Sequence, residues 1–436
     1  MEEFSLDSRV QITAITSGTH HFFGYYDKCP WSADGRRLLA HEADFIDRLP
    51  NGEEIACIGY FDLEKGTGFQ KVAETRAWNW QQGSMLQWLG PSFDKLIIFN
   101  DLRDGKFVSV IFNIETRQEE KVIPFPVYAV HPDGTSALSL DFALLDEVRE
   151  GYGYKGGDIN PDDCIYSFNL WEEKPVKERI IYNFNVLRFK PLNYSDNERH
   201  WVDHITFNPS GGRFAFFHRW QVDNNGLYSQ LCWASKSGKT IVTAPQVLLD
   251  SGMASHFSWF NNEEVVAWGR LPESKLSRAS NKFAKNRVVR KLLLPMYHLL
   301  SPGLLKQKIS GDSFIRFNIK SILPEGERVG EGLLTEDGHV SFSPDKQWLL
   351  TDTFDRKNHS RGLLLYHLRS KRKLGIDSFP TIPHGPVVPE WDSSVLRCDL
   401  HPRWNRDGTQ ICFDSVHKGT RQMYIADVRK IVNSYT

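Results

Sequence analysis

The chain has 436 residues, of which 40% are hydrophobic and 25% charged, and its formal net charge is −1. This composition is typical of a folded globular protein and excludes collagen, a coiled coil and a disordered chain. The balanced charge argues against a strongly basic nucleic-acid-binding protein, so we expect no nucleic-acid partner. No apolar run approaches the ~18 residues that span a bilayer, and the N-terminus lacks a secretory-signal pattern. The six cysteines are scattered without a CxxC pair, which favours a reducing, cytoplasmic location.

The first predicted elements lie near the N-terminus. An isolated apolar strand is predicted over residues 10–15. The segment 19–28 follows, and it crowds His, Tyr and Lys side chains together with Phe. These side chains are suitable acid–base groups when burial shifts their pKa values toward neutrality. Aromatic packing at an exposed rim is the alternative interpretation of this segment.

One pattern then recurs along the rest of the chain: an apolar or aromatic anchor, a turn rich in Pro, Asp, Asn and Gly, and an apolar strand. The seven anchors are Trp31, Trp88, Val130, Phe207, Trp259, Phe342 and Trp404. Such turn residues connect antiparallel strands, and further strands follow most copies, which gives one four-stranded sheet per copy. The pattern predicts an all-β, seven-bladed β-propeller spanning residues 1–436 as one domain, with strand 10–15 closing the last blade. A pair of β-sandwiches with similar turns is the alternative.

Two segments interrupt the repeat. Residues 145–200 are predicted to form an ordered loop together with strands of the third blade. Residues 271–312 are basic and are predicted to form a partly helical insertion between blades five and six. This insertion has three interpretations: a helix packed on the outside, a lid over an anionic ligand, or a peripheral membrane contact through residues 285–305.

Histidine recurs at one position of the repeat, three residues before the anchor. Blades four to seven place His204, His256, His339 and His401 there, which is four of the 15 histidines in the chain. The pattern itself requires only small or apolar residues at this position, so the histidines predict either a metal site or an active site. Neutral imidazoles suit Zn²⁺ or Mn²⁺, and Cys398 lies three residues before His401.

Polar residues at the ends of the second strands are predicted to lie on the same face near the central channel, because antiparallel strands bring these ends beside the starts of the first strands. They include His41, Asn100 and His218, with Arg103 and Arg219 close behind. Lys28 stands at the histidine position of blade one. We expect substrate-binding groups at Lys28, Asn100, His218 and Arg219.

At these residues the chain resembles the seven-bladed propeller polysaccharide lyases: the ulvan lyases and, more distantly, the oligogalacturonate lyases. The ulvan-lyase resemblance rests on His21 and His41, which are 20 residues apart, and on Arg103 and His204. It implies that these four residues are catalytic, with Tyr25 or Tyr26 in the place of that family's tyrosine. The oligogalacturonate-lyase resemblance implies a metal held in the late blades. The Gln-x-x-His-x-His pattern of that family is here Cys398 to Arg403, in which only His401 matches, and His339 matches the ligand of the preceding blade.

The leading hypothesis is a lyase that cleaves a uronic-acid-containing glycan by β-elimination. It assigns catalysis to His21, His41, Tyr26, Arg103 and His204, and a divalent metal, Zn²⁺ or Mn²⁺, to His256, His339, His401 and Cys398. The expected partner is an acidic oligo- or polysaccharide. Two alternatives stay open: a non-catalytic propeller that binds a glycan, a protein or a membrane surface, and a glycoside hydrolase using Asp352 and Asp414 as paired carboxylates.

Overall fold

The protein is a seven-bladed β-propeller. The computed structural model describes residues 7–159, 164–181, 200–221, 227–238, 241–243, 254–270, 311–320, 326–354, 359–382 and 396–435. Within these ranges there are seven four-stranded antiparallel sheets. Six of the sheets follow the chain order, and the seventh combines the two ends of the chain. The predicted fold class is therefore confirmed.

The N-terminal strand closes the ring. Strand β1 (Gln11–Ala14) pairs with the third strand of the last blade, with Gln11 opposite Asp427 and Ala14 opposite Tyr424. A strand from the beginning of the chain thus completes the sheet formed by its end, as the sequence predicts. This sheet, blade seven, contains β26 (Arg403–Trp404), β27 (Gln410–Ser415), β28 (Gln422–Asp427) and β1.

The other six blades follow one another along the chain. Blade one contains β2 (His20–Phe22), β3 (Arg37–Ala43), β4 (Ala56–Asp62) and β5 (Gln70–Thr75). Blade two contains β6 (Gln87–Trp88), β7 (Leu96–Arg103), β8 (Lys106–Asn113) and β9 (Gln118–Ile123). Blade three contains β10 (Ala129–Val130), β11 (Ser136–Ser139), β12 (Ile165–Asn169) and β13 (Glu178–Ile181).

Blade four contains β14 (His200–Phe207), β15 (Arg213–Gln221), β16 (Leu227–Ser235) and β17 (Ile241–Thr243). Blade five contains β18 (Phe257–Trp259), β19 (Glu264–Arg270), β20 (Asp312–Asn318) and β21 (Glu327–Val329). Blade six contains β22 (Ser341–Phe342), β23 (Trp348–Asp352), β24 (Ser360–His367) and β25 (Arg372–Pro380). Two short helices, α1 (Phe142–Val148) and α2 (Arg429–Val432), complete the described elements.

Neighbouring blades are joined by buried apolar side chains and, at Trp88 and Trp259, by the indole of the anchor. One core cluster combines Leu38 of blade one with Ile97 and Val110 of blade two. The Trp88 indole donates a hydrogen bond of 2.8 Å to the Pro30 carbonyl of the preceding blade. The Trp88 anchor therefore also connects its blade to the preceding one.

The two insertions lie inside blades. In blade three, α1 and the following loop separate the second strand from β12 and β13, and residues 182–199 lie outside the described residues. The prediction that residues 271–312 lie between blades five and six is wrong. The segment separates β19 from β20, which pair directly within blade five. The repeat marks only the first two strands of a blade, so the sequence pattern did not show that two more strands follow this segment.

Residues 271–310, including the proposed membrane contact at 285–305, lie outside the described residues. Among the helices that the structure describes, none has the length and apolar character needed to cross a membrane.

Blade one sends a loop across the central channel. Its inner strand is interrupted: Phe22 pairs with His41, and the next pairing is the bridge between Trp31 and Leu38. Residues 23–30, which we call the crossing loop, leave the sheet between these points. Gly24 permits this path, because its φ is +132° and a Cβ there would lie 2.7 Å from the Gln82 carbonyl oxygen. The tip of the loop reaches blades four and five, which lie opposite blade one in a seven-membered ring.

Candidate active site on the propeller axis

Four histidines and two tyrosines meet on the propeller axis. The tyrosines are Tyr25 and Tyr26 of the crossing loop. The histidines, which we call the axial histidines, are His204, His256, His339 and His401. The ring centroids of His339 lie 4.4 Å from those of both His256 and His401. Tyr25 is 4.9 Å from both His204 and His401 by the same measure. The repeat position predicted from the sequence thus brings residues of four blades together.

A chain of hydrogen bonds runs from the crossing loop into blade four. The Tyr25 hydroxyl lies 2.6 Å from Nε2 of His204, and Nδ1 of His204 lies 2.7 Å from Asp203 Oδ1. A register shift in β14 after Asp203 and a φ of +56° at His204 turn this imidazole toward the axis. Burial lowers the pKa of His204 to about 3, so its imidazole is neutral at neutral pH.

Two other axial histidines are oriented by carboxylates in the same way. Nδ1 of His256 lies 2.8 Å from Asp337 Oδ1, and Nδ1 of His339 lies 2.9 Å from Asp352 Oδ2. A carboxylate on Nδ1 fixes the ring and leaves Nε2 as the atom that faces the cluster. Gly338, next to His339, is essential for this packing, since a Cβ there would lie 1.8 Å from the Asp352 carbonyl oxygen.

Two buried aspartates each bind two arginines at the edge of the cluster. Asp203 binds Arg219, with Nε 2.7 Å from Oδ1, and also Arg149. Asp399 binds Arg361 and Arg397, each with Nε 2.9 Å from Oδ1. Burial raises the pKa of both carboxyls, but the positive charges beside them outweigh it and hold both pKa values well below the usual range.

Three of these arginines lie against aromatic rings. The Arg149 guanidinium is 3.6 Å from the Tyr152 centroid, and that of Arg361 is 3.6 Å from the Phe354 centroid. Arg397 lies 5.6 Å from the same Phe354 ring. Phe354 in turn stacks on His256 at 5.6 Å, which places this group beside the axial histidines. The side chains of Arg149 and Arg397 are 18% and 22% exposed, so both can reach an anionic ligand.

Within the described residues, one group of three potential metal ligands converges: His339, Asp399 and His401, whose donor atoms all lie within 4.8 Å of one another. His401 is fully buried, and neither of its ring nitrogens has a hydrogen-bond partner in the described part of the chain. A buried imidazole without partners is expected where a cation binds. The carboxylate that orients His339 is typical of the outer shell of a metal site. These donors fit a divalent cation.

The other two metal ligands predicted from the sequence lie differently. His256 contacts the ring of His339 but does not belong to the group of three. The thiol of Cys398 lies 3.8 Å from the Asp399 carbonyl oxygen, and burial raises its pKa to about 12. The thiol therefore keeps its proton at neutral pH. Its neighbour Asp399 provides the converging side chain instead.

His21 and His41 lie outside the axial cluster. His21 contacts Glu42, with Nε2 3.1 Å from Oε2, and Gln422 of blade seven. His41 stacks on Phe22, and its Nε2 lies 2.8 Å from the Ser84 hydroxyl oxygen at the boundary with blade two. Each is 2% exposed or less. The structure thus gives both histidines interblade contacts.

The remaining predicted site residues are spread over the molecule. Arg103 binds Glu119 at 2.5 Å on the outer strand of blade two, and Asn100 exchanges two hydrogen bonds with the Val127 backbone. His218 lies 3.1 Å from His200 in blade four.

Of the remaining predicted site residues, Tyr26 and Arg219 reach the axial group. Tyr26 donates to the Phe257 carbonyl and contacts His339, and Arg219 binds Asp203. Lys28 is bonded to Asp27 at 2.8 Å.

Sequence reasoning missed the residues that support the histidines: Asp203, Asp337, Asp399, Arg149, Arg361 and Arg397. Two signals were present. An aspartate directly precedes His204, and another lies two residues before both His339 and His401. The arginines carry no such signal, because they come from strands and loops of different blades.

A scan against protein-family models gives no match, and a search of curated proteins gives none either. Solved structures give similar folds. An oligogalacturonate lyase in complex with manganese aligns with a TM-score of 0.63 at 14% identity, over 98% of this chain and 96% of that protein. An oligogalacturonate lyase from Vibrio parahaemolyticus aligns with a TM-score of 0.59 at 12% identity, over 97% and 94%. These alignments establish a shared propeller fold along nearly the whole chain.

Proposed function

We propose that this protein is a carbon–oxygen lyase that cleaves an acidic oligosaccharide by β-elimination at the axial histidines. The observation that carries the proposal is the hydrogen-bonded chain of Tyr25, His204 and Asp203 beside the exposed edges of Arg149 and Arg397. The fold shared with oligogalacturonate lyases supports the same reaction class.

The reaction has three requirements, and the axial residues provide a group for each. The proton on C5 of a uronate becomes acidic when the adjacent carboxylate is neutralised, and a guanidinium binds a carboxylate through two parallel hydrogen bonds. Arg149 and Arg397 are the arginines placed for this role. A base then removes the C5 proton, and an acid protonates the leaving oxygen on C4.

Tyr25 and His204 form the proton-transfer pair. Their proton-carrying atoms lie 2.6 Å apart, which suits a C–H and a C–O bond on adjacent carbons of one ring face. His204 Nε2 accepts the C5 proton, and the Tyr25 hydroxyl donates its proton to O4. The Asp203 carboxylate stabilises the imidazolium that forms, as the buried aspartate of a serine-protease triad does. The bond broken is C4–O4, and the product carries a C4–C5 double bond.

A divalent metal would be held by His339, Asp399 and His401, with Asp352 orienting His339. When bound, it would act as a Lewis acid on an anionic oxygen of the substrate. The manganese complex of the similar oligogalacturonate lyase makes Mn²⁺ the first metal to test.

The hydrolase alternative lacks a free pair of carboxylates. Asp352 is bonded to His339, and Asp414 lies 3.3 Å from Arg403. Both side chains are fully buried. A glycosidase requires one protonated and one ionised carboxyl facing the scissile bond. These two aspartates instead have histidine and arginine as partners.

The experiment that tests the proposal follows ultraviolet absorbance while the protein is incubated with uronides. The panel contains galacturonate, glucuronate and iduronate oligomers, each measured after EDTA treatment and again with added Mn²⁺. We expect absorbance from an unsaturated uronate with at least one uronide. The Tyr25→Phe variant should lose this activity. Tyr154→Phe is the matched control, because Tyr154 is also buried but bonds Asn100 in blade two. Full activity of Tyr25→Phe would contradict the assigned role.

A further inference from the structure

The central channel contains a cavity beyond the crossing loop. It has a volume of about 300 Å³ and is bounded at one end by Tyr25, Tyr26 and His204. Its walls are residues further along the inner strands: Thr206 follows His204, Ser258 follows His256, and Ser341 follows His339. Turn residues such as Asn208 and Lys346 also line it. The cavity therefore lies toward the face formed by the turns, and we call it the turn-side cavity.

This cavity is chemically distinct from the candidate active site. Its lining contains none of the four arginines that bind Asp203 and Asp399. The metal-site candidates His339, Asp399 and His401 are also absent from it. Tyr25 and His204 are therefore a shared wall between two differently lined ends of one channel.

The walls of the turn-side cavity combine aromatic faces with hydrogen-bonding groups. Trp259 and Phe257 contribute flat apolar surface, and the Trp259 indole is fixed by a hydrogen bond of 3.1 Å to the Thr206 carbonyl oxygen. The Ser341 hydroxyl is buried and has no hydrogen-bond partner among the described residues. Sugars combine an apolar ring face with hydroxyl groups, so this lining suits a sugar ring.

The charged residues that line the cavity favour an acidic ligand. The Lys28 ammonium is already bonded to Asp27 at 2.8 Å. The Lys346 ammonium lies 5.9 Å from the Phe342 ring centroid and makes no salt bridge within the described part of the chain. Burial lowers the pKa of Lys346 and the neighbouring Asp345 carboxylate raises it, so an anion in the cavity would further stabilise the charged ammonium. One cation without a salt bridge matches one carboxylate.

We propose that the turn-side cavity binds a monosaccharide that carries a single carboxylate, of the hexuronate class. A volume of about 300 Å³ is at the lower end for small-molecule sites, which fits one sugar ring. The inference follows from the lining of the cavity and does not depend on the proposed reaction. If that reaction occurs, the cavity would hold a sugar acid directly behind Tyr25 and His204.

The test titrates D-galacturonate into the full chain by isothermal calorimetry, with neutral D-galactose as the second probe. Free galacturonate has no glycosidic bond at C4 and cannot undergo the proposed cleavage. We expect galacturonate to bind about tenfold more tightly than galactose, and Lys346→Met to weaken galacturonate binding about tenfold, the loss of one charge-assisted hydrogen bond.

A control variant shows whether the loss of binding is specific to Lys346. Lys371 is exposed and lies in a turn of the same blade with a similar left-handed φ, +54° against +61° for Lys346. Lys371→Met should bind galacturonate normally. The proposal is overturned if galacturonate does not bind at millimolar concentration, or if galactose binds equally well. Galacturonate binding that Lys346→Met leaves unchanged, or that Lys371→Met weakens equally, would also overturn it.

The same titrations are independent of the lyase assay. Galacturonate binding that depends on Lys346, without elimination from any uronide, would retain this inference and remove the proposed function. Elimination without such binding would support the proposed function and overturn this inference.

Discussion

Blades two and four carry side chains with different roles at the same position of the repeat. Met85 in blade two and His204 in blade four both stand three residues before an anchor, with φ values of +57° and +56°. Met85 packs in the apolar core shared by blades two to four, whereas His204 contacts Tyr25 on the axis. The two blades therefore share a left-handed backbone at this position, and the side chain decides whether the position contributes to packing or to a site.

The largest expected effect comes from replacing the histidine of this pair. His204→Gln should lower kcat/KM for elimination by about 10³-fold, because a glutamine amide cannot accept the C5 proton. Met85→Leu, the equivalent change in blade two, should keep most of the activity. Steady-state kinetics on the best uronide measures both variants. Comparable activity of His204→Gln and wild type would remove His204 from the reaction.

A second prediction concerns the close packing behind His339. Gly338→Ala should reduce the free energy of unfolding by about 3 kcal/mol, because the new Cβ would overlap the Asp352 carbonyl. Gly212→Ala is the matched control, since the nearest atom to a Cβ there is 3.6 Å away. Denaturant unfolding of both variants checks this. Equal stability of the two would show that the Gly338 site can relax.

A third prediction distinguishes Cys398 from Asp399, the two candidate metal ligands that are neighbours in the sequence. After removal of bound metal with EDTA, His401→Ala should bind Mn²⁺ about 100-fold more weakly than wild type, and Asp399→Asn should also bind it more weakly. Cys398→Ala should bind Mn²⁺ normally, since the buried thiol does not belong to the converging group. Calorimetric titration gives all three affinities. Loss of Mn²⁺ binding in the Cys398 variant alone would assign the site to the thiol.

The smallest expected effect is on the pH dependence of stability, and it comes from histidines that are buried away from the axis. Burial lowers the pKa values of His41 and His218 to about 3, compared with about 6.5 in an unfolded chain. Between these values the unfolded state binds protons that the folded state does not, so stability falls as the pH falls below about 6.5. The two histidines together should reduce the free energy of unfolding by about 2–3 kcal/mol from pH 7.5 to 5.5.

Urea denaturation at the two pH values measures the total loss, to which these two histidines contribute. His218→Asn should decrease the loss by about 1 kcal/mol. His367 is less deeply buried, and His367→Asn is the control that should decrease it less. An identical pH dependence in all three proteins would contradict the assignment.

The fold could be predicted because its signals are local. Each blade repeats an anchor and a turn within about ten residues, and the Asp-Gly turns at Gly35, Gly134 and Gly408 have the positive φ values that glycine favours. The closing strand was predictable because blade seven lacked a fourth strand. The location of the segment 271–312 was not, because nothing in the repeat marks the third and fourth strands of a blade.

The axial site could be predicted only in part. The four histidines were found because they share a repeat position, but the carboxylates that orient three of them, Asp203, Asp337 and Asp352, share no single repeat position. Side chains alternate along a strand, so a polar residue at a strand end can face a neighbouring blade, as His41 faces Ser84. The crossing loop depends on contacts between blades one, four and five, and no local pattern in residues 23–30 specifies those contacts.

The central claim is that the axial cluster performs elimination. Its most direct test is mass spectrometry of the products formed from a uronide disaccharide in ¹⁸O-labelled water. We predict one unsaturated uronate and one saturated sugar, with no label introduced by bond cleavage, and we predict loss of both products in the Tyr25→Phe variant. Two saturated sugars, one carrying ¹⁸O from the cleaved bond, would establish hydrolysis and contradict the account.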